Sequence, residues 1–551
     1  MAQIVIDNIS VHTSPKLTMQ AIDDNFDELY AKDTALTTQI GLLGLRPEDY
    51  GAVGNGTTDD TAAVQACINA ADAAKVSVML SKFYKLTNKI TVPDGLSILG
   101  THRDSCGFKI YRADFNLSAT GVLDLVVSDA YGARLEDFQI TTDMDTTNTV
   151  RANLTVFPPL IRAVACPRFF LKNLRLNRAY IGIDATGNSG GAHITDCEIG
   201  AYHTGIKFNA PLDFIFIDNV ELWPFGIATT ASEAIYADGT TIGLDAVRVD
   251  GLSIGTLSTF WCKTNLDGCF GSIGTLNLDG KYSQLNITAT TAKSEIAIGA
   301  LYKTTDAADD WGISVSGTYT TNLSIGSAWM KNLVNITSAT KQYALIYLNQ
   351  ANSDIVIGNL RADLVGATTR LVAVTAGHLM LSNTYLNTDT LTRTNAAIYV
   401  TSGEISISNL KASTNTTSSV LIHATLNLRH YLSGIIAPGW TLSLPTTNTL
   451  ITLNDIDTNT FLVSTRSVHA TKRYKLTAVF NTSGTATISS PPISDYTKYL
   501  SVVAFADYGT TYKVGIDGSK ISIGNAAITI TTGITAYSTL TCEVYVDVIV
   551  D

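Results

Sequence analysis

Three segments set 23 residues apart constrain this chain more than any other feature: Leu171-Lys172-Asn173-Leu174-Arg175-Leu176, Ile194-Thr195-Asp196-Cys197-Glu198-Ile199 and Ile217-Asp218-Asn219-Val220-Glu221-Leu222. Gly182-Ile183, Gly205-Ile206 and Gly226-Ile227 repeat just behind them. Further on, Ile254-Gly255-Thr256-Leu257 and Ile273-Gly274-Thr275-Leu276 share one phrase, echoed around Gly299, Gly326 and Gly358 at glycine intervals of 19, 25, 27 and 32. A unit of a little over 20 residues, β-branched and without an intervening helix, predicts a β-solenoid. Each strand then pairs with its equivalent in the next coil, and turn loops lengthen outward into a binding face. Propeller blades are longer, at about 40–50 residues, and leucine-rich repeats need helical or Asn-ladder segments that are not found in the spacing.

Composition agrees. Of 551 residues, 74 are threonine, 45% are hydrophobic and only 15% are charged, which is β composition and excludes a disordered chain. The net charge of -11 argues against a nucleic-acid partner, and a polyanion would need a local basic face. No apolar run is long enough to span a membrane, and Met1-Ala2-Gln3-Ile4 does not open a secretory signal, so membrane insertion is not expected and synthesis in a cytoplasm is. Cys67, Cys106, Cys166, Cys197, Cys262, Cys269 and Cys542 show no metal spacing and read as small buried hydrophobes. The eight histidines do not cluster with acids, so neither a metal nor a cofactor is expected.

The organisation falls into three parts. In residues 1–45, Met19, Ile22, Phe26, Leu29, Leu36, Ile40 and Leu43 keep a heptad seam broken only by Asp33, which predicts a short coiled coil or, alternatively, one amphipathic helix on its own domain. Residues 46–450 read as the solenoid, with early strands at Val76-Leu80, Tyr84-Leu86 and Leu96-Leu99. Residues 451–551 alternate over longer strands and read as a β-sandwich that caps the solenoid, holds subunits together or binds glycans.

At the entrance, Asp49-Tyr50-Gly51-Ala52-Val53-Gly54-Asn55-Gly56-Thr57-Thr58-Asp59-Asp60 precedes an Ala-rich helical pattern, with Thr58 or Asp59 as the expected cap. The Gly-Lys-Ser/Thr ending of a phosphate loop is absent. This stretch resembles the entrance to the pectate-lyase-like right-handed β-helix of bacteriophage tailspikes and capsule depolymerases, and Met19-Gln20-Ala21-Ile22-Asp23-Asp24-Asn25-Phe26 is similar to their virion-proximal segment. The resemblance implies an all-β, right-handed parallel β-helix in a homotrimeric spike, attached to the phage tail or baseplate through its N-terminus. It also implies binding, and usually cleavage, of capsular polysaccharide or lipopolysaccharide O-antigen at the host cell surface.

Glycoside hydrolysis needs two carboxyl groups flanking the scissile bond, with aromatic faces on which sugar rings stack. Among the acids of the central coils, Glu221 is the expected proton donor, two residues from Trp223, and Asp245 the base or nucleophile, with Asp250 and Asp267 next. Trp223, Trp261, Tyr282, His203 and Arg248 are the expected substrate contacts. Each acid also has a plainer reading as a turn residue, above all Asp267-Gly268, and the tryptophans as lumen or trimer contacts. A lyase would instead use a base such as His193 or His203 near Arg175, Arg178 and Lys207. A spike that only binds would need no carboxylate pair. No Gly-x-Ser-x-Gly elbow favours an esterase.

Overall fold

Alternation of inward aliphatic and outward polar residues, repeated from coil to coil, builds a 33-stranded sheet whose strands pair in parallel with those of the neighbouring coils. The computed structural model describes residues 24–32 and 44–444, apart from 129–130, 146, 224–233, 338, 340, 390–391, 415–418, 426–429 and 439, and beyond them strand backbones between 451 and 550. Each coil contributes three strands, and three ribbons result. Sheet 1 starts with Val78–Leu80, Ser97–Gly100 and Arg134–Glu136; sheet 2 with Phe83–Leu86, Gly107–Ile110 and Gln139–Thr142; sheet 3 with Ile90–Val92, Leu123–Leu125 and Ile161–Arg162. Long strands such as Arg175–Thr186 run from sheet 2 into sheet 3.

The lumen shows why the chain stacks. In sheet 1, Val78, Ile98, Leu135, Leu171, Ile194, Ile217, Ile254, Ile273, Ile298, Ile325, Ile357, Leu381, Ile407 and Leu432 lie in register, one per coil. None is more than 3% exposed. Burying each such side chain stabilises by about 1.5–3 kcal/mol, but only when a neighbouring coil covers it, so no coil is stable alone.

The 23-residue recurrence proves to be a bend between sheets 1 and 2. Asn173, Asp196 and Asn219 adopt the left-handed conformation (φ 48, 55 and 49°), which Asn and Asp tolerate. The Asn173 amide donates to Asp137 (2.6 Å), and that of Asn219 to Asp196 (2.7 Å). Asn383 and Asn409 continue the device further along, each donating to the asparagine one coil back. Short asparagine ladders therefore do exist, contrary to the sequence expectation, because the bend needs side chains that satisfy one another between coils. Between the two ladders, the position one residue before the ladder, beside Asp218 at one end and Ser382 at the other, is held by Gly255, Gly274, Gly299, Gly326 and Gly358. A Cβ on any of the last four would lie 2.6–2.8 Å from the carbonyl oxygen of the glycine one coil back.

Two expectations on spacing are corrected. Behind Gly182-Ile183 and Gly205-Ile206, the third member in space is Gly243-Leu244, since Ile206 pairs with Leu244; Gly226-Ile227 lies outside the described residues. The stacked strands also continue past 450, through Ile451–Asp457 and Leu462–Val463, before antiparallel pairing begins at Ala470. There, a four-stranded and a three-stranded antiparallel sheet follow. How their side chains pack, and Cys542, lie outside the described residues.

At the entrance the helix Thr61–Ala74 buries Val64, Cys67, Ile68 and Ala71 against the first coil. Its N-cap is Asp60, not Thr58 or Asp59. The Asp60 carboxylate accepts the amides of Val53 (2.6 Å) and Gly54 (3.1 Å), so the glycine loop holds its own anion. Residues 24–32 are helical, with Phe26 and Leu29 exposed; the remainder of the heptad stretch lies outside the described residues. The other six cysteines are buried free thiols. No helix among the described residues is long and apolar enough to cross a membrane.

Candidate functional site

The connections 111–122 and 143–160 from sheet 2 to sheet 3 are long, while the bend from sheet 1 to sheet 2 is at most two residues except at 101–106, which carries Arg103. Outward residues of sheet 2 are thus presented on a straight, stacked face. One row of that face runs Arg175, Glu198, Glu221, Ser258, Asn277, Tyr302, Trp329, Arg361, Tyr385 and Lys411, each beside the next on adjacent strands.

The acidic end is an open cleft of 440 Å³ lined by Arg103, Lys172, Asp196, Glu198, Asn219 and Glu221. Glu198 is clamped on both oxygens, by Arg103 Nη2 (2.7 Å) and Arg175 Nε (2.7 Å). Glu221, on the next strand, makes no ion pair among the described residues. The spacing of adjacent strands, about 4.8 Å, sets the distance between the two backbones. Two residues on, Trp223 is 45% exposed and its ring stacks on Phe260, which stacks in turn on Trp261, each pair 5.0 Å apart.

At the other end Tyr302, Trp329 and Tyr385 are 41–46% exposed around an open groove of 320 Å³. Trp329 is held in place: its indole N–H donates to Asp363 (3.0 Å), and the Arg361 guanidinium lies over the ring at 5.7 Å. From Glu221 to Tyr385 is six strand spacings, or about 29 Å. That is long enough for several sugar units.

The expected site residues divide over the solenoid. Glu221 and Trp223 lie on sheet 2. His203, Trp261 and Tyr282 lie at the corner where sheet 2 turns into sheet 3. Trp261 packs half-buried against the core, and the Tyr282 hydroxyl donates to Asp309 (2.9 Å), burial and that carboxylate pushing its pKa up to about 12. Asp245 faces outward on sheet 3, between Lys207 and Asn265 on the neighbouring strands. Glu221 and Asp245 are therefore not brought together on one face. Arg248, Asp250 and Asp267 sit where sheet 3 turns back to sheet 1. Arg248 and Asp250 are exposed, and Asp267 accepts the Thr290 amide (2.7 Å) and hydroxyl, the work of a turn residue.

A second titratable group stands at the sheet 2/3 corner. His203 stacks on Tyr180 (5.0 Å); burial pushes its pKa down, and the charges of Arg151 and Lys207 push the same way. Burial pushes the Asp245 carboxyl above its ordinary value, opposed by Lys207 and His203 and reinforced by Asp267. His193, by contrast, lies between Phe170 and Phe216 on sheet 1, stacked on Phe216 at 4.5 Å.

Sequence reasoning missed Glu198, its arginine clamp and the aromatic row. Glu198 was recoverable, because the 23-residue recurrence places it in the same repeat position as Glu221. The spacings from Glu221 to Ser258 and from Tyr302 to Trp329 vary with loop length, so the row is not periodic in sequence.

No family model matches the chain, and no curated protein matches it. Solved structures similar to it include the N-terminal fragment of gene product 12 of bacteriophage Phi29, with 14% identity, TM-score 0.48, and coverage of 77% of this chain and 75% of that one. The tailspike of Pseudomonas phage phi297 matches over 92% of this chain and 99% of its own, with 9% identity and TM-score 0.44. A mutant tailspike of E. coli bacteriophage HK620 matches over 93% and 94%, with 10% identity and TM-score 0.43.

Proposed function

We propose that this chain is a trimeric, tailspike-type depolymerase that binds bacterial surface polysaccharide along the outer face of sheet 2 and cleaves it by glycosidic hydrolysis. The observation that carries the reading is the register of that face: two neighbouring carboxylates, Glu198 and Glu221, followed in line by the exposed aromatics Tyr302, Trp329 and Tyr385. Aromatic faces stack on sugar rings, and a carboxyl pair about 5–5.5 Å apart suits a retaining mechanism. Glu221, which makes no ion pair among the described residues, is the proton donor. Glu198, fixed by Arg103 and Arg175, faces the positive charge that develops on the sugar. The entrance motif and the right-handed solenoid it implies support the phage assignment.

The test is incubation with a panel of capsules and O-antigens, reading new reducing ends. Wild type is expected to cleave one polymer, Glu221→Gln to lose at least ~100-fold in rate, and Trp329→Ala to bind more weakly. Full activity in Glu221→Gln would remove it from the mechanism.

The corner cluster favours a second reading. His203, kept neutral by burial and nearby cations, beside Lys207 and Arg151, suits a base that removes the proton next to a uronate carboxylate. Asp245 then tunes that site instead of pairing with Glu221. Products absorbing near ~232 nm, sensitive to His203→Ala and not to Glu221→Gln, would select β-elimination. Binding without any cleavage would select a purely adhesive spike.

A further inference from the structure

On sheet 3, beyond the corner cluster, cations gather on aromatic rings without an ion-pair partner among the described residues. Lys263 and Lys341 both lie over the Trp311 ring, at 6.0 and 5.4 Å, and Lys341 also over Tyr347 at 5.0 Å. Trp311 is pinned by its indole N–H, which donates to Asn286 (3.1 Å). Further along, the Arg370 guanidinium lies 3.8 Å over Tyr399 and is only 8% exposed, with Nε and Nη1 buried and unpartnered among the described residues.

The carboxylates nearest Lys263 are already engaged. Asp238 pairs with Arg151 (2.7 Å), Asp309 accepts the Tyr282 hydroxyl, and Asp310 pairs with the buried Lys303 (2.8 Å). None of Lys263, Lys341 and Arg370 makes an ion pair among the described residues. Half-buried ammonium groups close enough to repel each other are costly unless an anion comes between them. In a chain of net charge -11, this is a local basic face.

We propose that this stripe of sheet 3 binds an acidic glycan, seating its carboxylate, or an equivalent anionic substituent, between Lys263 and Lys341 beside the Trp311 ring. Sugar rings rest on the aromatic floor while the cations read the charge. Arg370, about two strand spacings or roughly 10 Å beyond Trp311, adds its positive charge to the same stripe. The proposal deepens the polysaccharide reading and rests on it, naming the substrate class as anionic.

The test is titration calorimetry of the full chain with polygalacturonate fragments, with dextran fragments of equal length and an oligothymidylate as controls. Polygalacturonate is expected to bind best. Lys263→Ala and Lys341→Ala should each weaken it ~10-fold or more, Lys341→Arg should restore most of the loss, and about 0.5 M salt should weaken wild type similarly. Ser324→Ala, on the outer face of sheet 1, should leave this binding unchanged. Absence of polygalacturonate binding, equal binding of dextran, preference for the oligothymidylate, or indifference to both alanine variants would overturn the site. Those outcomes leave the polysaccharide reading intact, which fails separately if no capsule or O-antigen is bound or cleaved.

Discussion

His430 stands in the inward part of sheet 1 between Ile405 and Ile451, buried, with neither ring nitrogen partnered among the described residues. Burial pushes its pKa down to about 4. The unfolded chain takes up that proton near pH 6.5, so the folded state binds fewer protons between the two values and loses stability as pH falls through that window. The loss is on the order of 3 kcal/mol, complete near pH 4. Urea titrations at about pH 7 and pH 4.5 should show His430→Leu, which matches its aliphatic neighbours, losing much less than wild type. Identical acid sensitivity in the two proteins would contradict this account. Lys303 shows the opposite solution: equally buried, it donates to the Gly280 and Ser283 carbonyls (3.2 and 2.7 Å) as well as to Asp310, so its charge is provided for.

At the scale of the element, the bend between sheets 1 and 2 decides how closely coils can stack. Where Asn or Asp holds it, side chains bridge the coils; in the middle coils, a Gly one residue earlier lets the backbone itself close in. Gly299→Ala would set a methyl 2.7 Å from the Gly274 oxygen, and overpacking of this kind costs about 1–3 kcal/mol. Its denaturation midpoint should drop accordingly, whereas Ser324→Ala, on the outer face of sheet 1, should stay within ~0.5 kcal/mol. Equal stability of both would mean that the bend relaxes freely. The recurrence at Asn173, Asp196 and Asn219 made this element legible in the sequence. Its Gly version was legible as a phrase, Ile-Gly-x-Leu, but not as a close approach, because the atom that excludes a side chain belongs to another coil.

At the scale of the whole molecule, the solenoid separates surfaces that the sequence interleaves. Every coil visits all three sheets, so acids some twenty residues apart land on different faces, as Glu221 and Asp245 do, while Glu221 and Tyr302 share one. The exposed Phe26 and Leu29 of the N-terminal helix are accounted for by the trimer proposed above. Sedimentation should report three chains for wild type and fewer for the Phe26→Asp, Leu29→Asp double variant; a monomeric wild type would contradict it. The sequence by itself determined the stacked β architecture, since inward aliphatics and a bend residue must recur in every coil, and that constraint is local and periodic. It also set Glu221 and Trp223 two residues apart, with the strand that carries Glu221 ending at Leu222. Only the tertiary structure decided which residue lies beside them, because the register between coils, not the distance along the chain, sets the neighbours of an outward side chain. The arginine clamp on Glu198, the aromatic row of sheet 2 and the unneutralised cations of sheet 3 all arise from that register.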